Sequence, residues 1–159
     1  MIEPEGKRVR DSYTEHVHVV ETEHMNQIQT LFGGQLMSWM DVIAGAAGSK
    51  YCGKGVTVVA VDEMQITAPA KLGDTLVYRA RVTNVGRTSL EIFIEVDIED
   101  AEKNLKRISE AYFLTVALDE HGRPSPVPPL IIETTEEQSL WEAAERRKEQ
   151  RNSRRAQQS

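Results

Sequence analysis

From Leu90 to Glu99 the chain alternates without a break, with Leu90, Ile92, Ile94, Val96 and Ile98 on one parity and Glu91, Phe93, Glu95, Asp97 and Glu99 on the other. Only an extended strand keeps a period of two, so this segment predicts a strand with one face on a core. Its neighbour repeats the pattern: Leu76, Tyr78, Ala80 and Val82 alternate with Val77, Arg79, Arg81 and Thr83, and Gly86-Arg87-Thr88 makes a short connection between the two. Further strands are predicted over 13–20, 56–66 and 105–118. Pro69 with Gly73-Asp74, the polar stretch 100–104 and His121-Gly122-Arg123-Pro124 supply the turns. Pro126-Val127-Pro128-Pro129 stops the sheet, because proline donates no ladder hydrogen bond.

One long apolar helix stands among these strands. It is predicted from about Gln35 to Tyr51, with Gly53 and Gly55 as helix-stop residues. Between Leu36 and Gly48 the only polar side chains are Ser38 and Asp41, so the helix is expected to be buried against the sheet, carrying Asp41 with it. A buried carboxylate costs on the order of several kcal/mol unless it is hydrogen-bonded, paired or put to use. Strand, helix, then four strands joined mostly by tight turns predicts an α+β architecture: a long antiparallel β-sheet wrapped around a central α-helix. A charged C-terminal helix is expected over 136–151, with Leu140, Trp141 and Ala144 as its apolar positions. The expected organisation is a flexible arm over 1–12, a single domain over 13–132, and a charged helix with a basic tail over 133–159.

Composition narrows the function classes. No apolar run approaches the roughly 20 residues of a membrane span, and the first ten residues carry charge where a secretory signal has its apolar core, so a cytoplasmic protein with no membrane partner is expected. The single cysteine, Cys52, has no intrachain disulfide partner and is read as a small core residue or a nucleophile. The net charge of −6 argues against nucleic-acid binding, yet residues 145–155 hold six basic and two acidic side chains, +4, leaving −10 elsewhere. That basic tail is read as a solvated helix end or as a surface for phosphates or acidic partners.

Four features carry chemistry. Gly33 and Gly34 precede the helix, where unsatisfied backbone N–H groups and the positive end of the dipole would face an oxyanion; the plainer alternative is a tight turn. Asp41, about two turns further, could activate a water or attack a carbonyl, or simply bond to a neighbouring group. Asn26 in the preceding loop could orient a water or carbonyl, or only shape its turn. His16 and His18 share one strand face and His24 lies nearby, but no further ligand accompanies them, so no metal site is expected.

The stretch Asn26 to Asp41, Val61-Asp62, Pro69 with Leu72-Gly73-Asp74, and Val85-Gly86-Arg87-Thr88-Ser89 together resemble the hotdog-fold acyl-CoA thioesterases in their acyl-CoA hydrolase branch, over roughly residues 13 to 130. The resemblance implies a hotdog fold and hydrolysis of acyl-CoA to CoA and free acid without metal or organic cofactor. It makes Asp41 the catalytic carboxylate, Asn26 its partner from a facing subunit, and Gly34 with Gly33 the oxyanion donor. Arg87, Thr88 and Ser89 match the segment associated with the CoA nucleotide; their alternative is a plain turn. It further implies a homo-oligomer, a dimer at minimum and commonly a trimer of dimers. Where many relatives have Gly three residues after the Asn, this chain has Gln29. Two rival readings remain: a hydratase or dehydratase, for which only His24 could serve because no His lies between Met25 and Glu120, and a non-catalytic CoA-binding or scaffold module.

Overall fold

The computed structural model describes residues 5–158. Its main sheet has five antiparallel strands, β2 (Thr14–Val19), β3 (Gly55–Ile66), β4 (Thr75–Val85), β5 (Ser89–Glu99) and β6 (Leu105–Leu118), in the spatial order β2-β4-β5-β6-β3. Helix α1 (Gly33–Cys52) packs across one face and α2 (Thr135–Gln158) lies against the other. This is the predicted hotdog architecture, with β2 and β3 left as free edges. Among the described residues no helix is long and apolar enough to cross a membrane.

The alternation of β5 has the expected consequence on one side. Leu90, Ile92, Ile94 and Val96 are fully buried in the core shared with α1. Leu36, Met40, Ile43, Ala44, Ala47, Gly48 and Tyr51 form the matching stripe of the helix. Gly48 permits the close approach: a Cβ there would sit 2.9 Å from Val56 Cγ2 and 3.3 Å from Ile92 Cδ1. The helix ends as expected at Gly53, whose φ of 70° is left-handed and whose N–H donates to the Ser49 carbonyl at 2.8 Å.

On the opposite parity of β5, Glu91, Phe93 and Asp97 are also buried, because charged partners and α2 cover them. Arg79, Arg81 and Arg107 pair with Glu95 and Asp97 in a ladder across three strands; Arg107 Nε donates to Asp97 at 2.7 Å and Arg81 to Glu95 at 2.9 Å. Helix α2 runs past its expected end at 151. Its basic side chains are docked rather than left in solvent: Arg147 makes a two-pronged bond to Glu91 at 2.8 and 3.0 Å, and Arg151 pairs with Asp62. The N-terminal segment expected as an arm is tied down over residues 7–12. β1 (Lys7–Arg8) pairs in parallel with β7 (Leu130–Ile131), and the buried Ser12 hydroxyl donates to the Val9 carbonyl and accepts from Val82 N–H. Residues 1–4 lie outside the described residues.

Candidate active site

The loop between β2 and α1 is built around Asn26. Its Oδ1 accepts from the N–H groups of Ile28 and Thr30, both at 3.0 Å, and its Nδ2 donates to Thr30 Oγ1 at 2.8 Å. Asn26 thus shapes its turn, as the plainer alternative had it. With both acceptor directions filled, what remains for chemistry is the second hydrogen of its amide. Together with Met25, Gln27, Ile28 and Phe32, Asn26 lines an open depression.

Gln29 takes the left-handed conformation in this loop, at φ 65°. A glycine relieves that conformation at the cost of a freer unfolded chain, so Gln29→Gly is expected to stabilise the protein by about 0.5–1 kcal/mol. That corresponds to a Tm rise of about 2 °C in thermal melts, and a lower Tm would show that the Gln29 side chain itself holds the loop.

Helix α1 begins at Gly33, two residues before its expected start, and nothing caps it. The residue ahead of it is Phe32, which makes no side-chain hydrogen bond to the helix. Gln35 and Leu36 N–H both donate to the Phe32 carbonyl, at 3.0 and 3.1 Å, whereas the N–H groups of Gly33 and Gly34 have no acceptor among the described residues. Two donors at the positive end of a 20-residue helix are therefore available to an oxygen from outside.

Asp41 corrects the expectation of a buried carboxylate. It is exposed in the protomer, and among the described residues its side chain has no hydrogen bond or ion pair. It sits on a stripe with Gly34, Met37, Ser38 and Val42, all exposed, opposite the stripe that meets the sheet. The reason is geometric: a helix lying on one sheet can press only one side against it, so a helix apolar nearly all round keeps a second apolar face. Seven residues separate Gly34 from Asp41, which puts them on the same side but about 10 Å apart along the axis. One thioester group cannot touch both within a protomer. Asp41 also does not line the depression that contains Asn26.

His18 and His24 are engaged in packing. His18 stacks on Trp39 with ring centroids 4.3 Å apart, and burial pushes its pKa down. His24 Nδ1 accepts from Glu21 N–H at 2.9 Å, its ring meets Trp39 edge-on, and its Nε2 lies 3.8 Å from Glu23, so the carboxylate beside it is not Asp41, as pairing with the acid in a dehydratase would need. Among the described residues no three His, Cys, Asp or Glu side chains converge to hold a metal ion. Cys52 is half-buried, with its thiol directed at the Lys54 carbonyl, and burial raises its pKa. At neutral pH it is a protonated thiol, so a disulfide reagent is expected to modify it at least about tenfold more slowly in the native than in the unfolded protein. Equal rates would show that the thiol is open and activated.

Arg87 and Thr88 lie with Gly86 in the tight β4–β5 connection, and Ser89 is the first residue of β5. The backbone of this connection is pinned: Gly86 N–H donates to Ser89 O, Ala117 N–H to Thr88 O and Val127 N–H to Arg87 O, all between 2.9 and 3.0 Å. The side chains do not converge. Arg87, exposed and without a carboxylate partner among the described residues, borders a depression with Trp141 and Pro126, whereas Ser89 opens onto a different cleft beside α2. The buried Glu91–Arg147 pair was not legible in the sequence, since strand alternation sends Glu91 outward and Arg147 sits in a basic run.

A family model described as the thioesterase superfamily matches residues 28–104. The chain is 34% identical over 142 residues to the uncharacterized acyl-CoA thioester hydrolase YkhA of Bacillus subtilis, covering 89% of this chain and 81% of that protein. Among solved structures, it is similar to an acyl-CoA hydrolase from Staphylococcus aureus in complex with butyryl coenzyme A, coenzyme A and coenzyme A disulfide. That match has a TM-score of 0.88 at 31% identity, over 96% of this chain and 93% of the other. An apo-hexameric acyl-CoA thioesterase matches at a TM-score of 0.90 and 32% identity, over 96% and 99% of the two chains. The Staphylococcus aureus enzyme has also been solved as Asn-to-Ala and Asp-to-Ala variants at two positions 15 residues apart, the spacing between Asn26 and Asp41 here.

Proposed function

Since the chain belongs to the acyl-CoA thioester hydrolases of the thioesterase superfamily, we propose that it hydrolyses acyl-CoA to free CoA and a carboxylic acid at a site shared between two copies. The observation that carries this reading is the unpartnered Asp41 carboxylate on an exposed apolar stripe, in line with an uncapped helix start but about 10 Å from it. A second copy packed against that stripe would bury it and could bring one copy's Asp41 to the other's Gly pair. The free β3 edge, with Val59, Val61 and Ile66 exposed, offers the backbone through which two sheets would join. A dimer is the minimum assembly, and a trimer of dimers would match the hexameric relative.

In this site the thioester carbonyl oxygen accepts hydrogen bonds from Gly34 and Gly33 N–H, where the helix dipole favours the negative charge that develops in the transition state. Asp41 of the facing copy takes a proton from the attacking water and passes it to the sulfur as the C–S bond breaks, so that CoA leaves as its thiol. In the other route its carboxylate adds to the carbonyl carbon and expels the CoA thiolate, which is protonated by solvent, and water then hydrolyses the mixed anhydride to release the acid and restore Asp41. Asn26, whose carbonyl is committed to its own loop, contributes an N–H that orients the water or the carbonyl oxygen. Every step uses groups of the chain, so no metal or organic cofactor is needed, and the working location is the cytoplasm, as for the cytosolic acyl coenzyme A thioester hydrolase of Mus musculus, 28% identical.

The test is release of free CoA from short-, medium- and long-chain acyl-CoAs, with the protein's mass measured in parallel. Turnover by a species of at least two chains is expected. Silence on every chain length, with CoA still bound, would replace the enzyme by a binding module.

A further inference from the structure

The ring of Phe32 folds back over the start of α1. A Cβ built on Gly34 would run into Phe32 Cε1 and stand 3.0 Å from Cζ, so the ring fills the space that any larger residue at 34 would need. The backbone beneath it is fixed on both sides: Phe32 N–H donates to the His24 carbonyl at 2.9 Å, and the Phe32 carbonyl accepts from Gln35 and Leu36 N–H. Phe32 is nonetheless 57% exposed in the protomer, so its burial there contributes little to stability. With Met25 and Ile28 it gives the depression around Asn26 an apolar wall. One aromatic ring therefore borders both the Asn26 loop and the Gly33-Gly34 start.

In the proposed site the thioester oxygen accepts from Gly34 N–H at about 2.9 Å. The carbonyl carbon lies about 1.2 Å from that oxygen, and the α-carbon of the acyl group about 1.5 Å further. Within so short a reach of Gly34 the ring is a direct neighbour. Of the two groups on the carbonyl carbon, the hydrocarbon suits the wall of Met25, Ile28 and Phe32, whereas the sulfur leads into a pantetheine arm with polar amides. A methylene passes a flat ring with only its hydrogens in contact, and a methyl branch on that carbon collides with it. We propose that Phe32 is a specificity-determining residue of the thioester site, whose ring flanks the α-carbon of the acyl group and favours straight chains over chains branched at that carbon. This rests on the acyl-CoA reading above and names the feature of the acyl group that the site discriminates.

The test compares butyryl-CoA with isobutyryl-CoA, and lauroyl-CoA with 2-methylundecanoyl-CoA, on wild type, Phe32→Leu and Phe32→Ala. Each pair consists of isomers that differ only in where one methyl group sits. In a pair that the wild type turns over, its preference in kcat/KM for the straight chain is expected at about tenfold or more. That preference should fall to about twofold in Phe32→Ala, with Phe32→Leu between. A helix start merely loosened by the substitution would slow both isomers alike and keep the ratio. A ratio that is unchanged or larger in Phe32→Ala, or a wild type without preference, overturns the proposal. If the wild type hydrolyses none of the four esters, the hydrolase reading fails, and calorimetric binding of the same esters decides the ring. A Kd ratio between isomers that shrinks about fivefold in Phe32→Ala upholds it. An unchanged Kd ratio, or no binding of any ester, overturns it.

Discussion

Asp41→Asn is expected to lower kcat on acyl-CoA by about 10³-fold while leaving the melting temperature of the protein unchanged. The activity loss follows from removing the one carboxylate on the exposed stripe of α1, whether it serves as base or nucleophile. The unchanged stability follows from its surroundings, since Asp41 has no partner to lose and Asn has a similar helix propensity. A variant keeping near-normal turnover would remove Asp41 from the mechanism. The shared site can be tested in the same series by mixing Asn26→Ala with Asp41→Ala subunits, each inactive alone. In a mixed dimer one site collects both substitutions and the other collects neither, so random re-assortment should restore about a quarter of wild-type activity. No recovery after demonstrated subunit exchange would place Asn26 and Asp41 in the same protomer's site.

The largest stability effect is expected at Arg147. Arg147 is 6% exposed, and its guanidinium lies 3.6 Å over the Tyr112 ring and grips Glu91, itself 3% exposed and further held by Thr83 Oγ1 at 2.7 Å. Burial alone would lower the Arg147 pKa, and the hydrogen bonds to Glu91 together with the charge of Glu91, Tyr112 and Glu63 outweigh it, leaving the pKa raised. Arg147→Leu leaves Glu91 buried and unpaired, which should cost about 3–5 kcal/mol and lower Tm by roughly 10 °C. Replacing both partners, Arg147→Leu with Glu91→Leu, should recover most of that loss, because the cost lies in the orphaned charge rather than in the missing bond. A double variant as unstable as the single one would show that the pair itself, beyond charge balance, anchors α2.

Much of this fold could be read from local pattern. The alternation in β5 and β4 and the Gly-bounded apolar helix placed those elements within two residues of their ends, because strand and helix periods are properties of neighbouring residues. Gly33 and Gly34, expected just ahead of the helix, form its first turn instead. The two-residue β1 and β7 strands were not legible, since so short a ladder has no period. Arg87, Thr88 and Ser89 were grouped by the resemblance, yet Arg87 lies in the turn while Ser89 is the first residue of β5, and the two open onto different depressions.

The sequence by itself determined the kind of elements, their order and the chemical character of the Asn26–Asp41 segment. Only the tertiary structure decided which of the helix's two apolar faces meets its own sheet and which is left carrying Asp41, because both faces satisfy the same hydrophobic pattern. It also decided that the basic run of α2 is partly docked and partly free. Glu91 and Arg147 lie 56 residues apart, and a contact over that separation is set by how the layers stack rather than by any local rule.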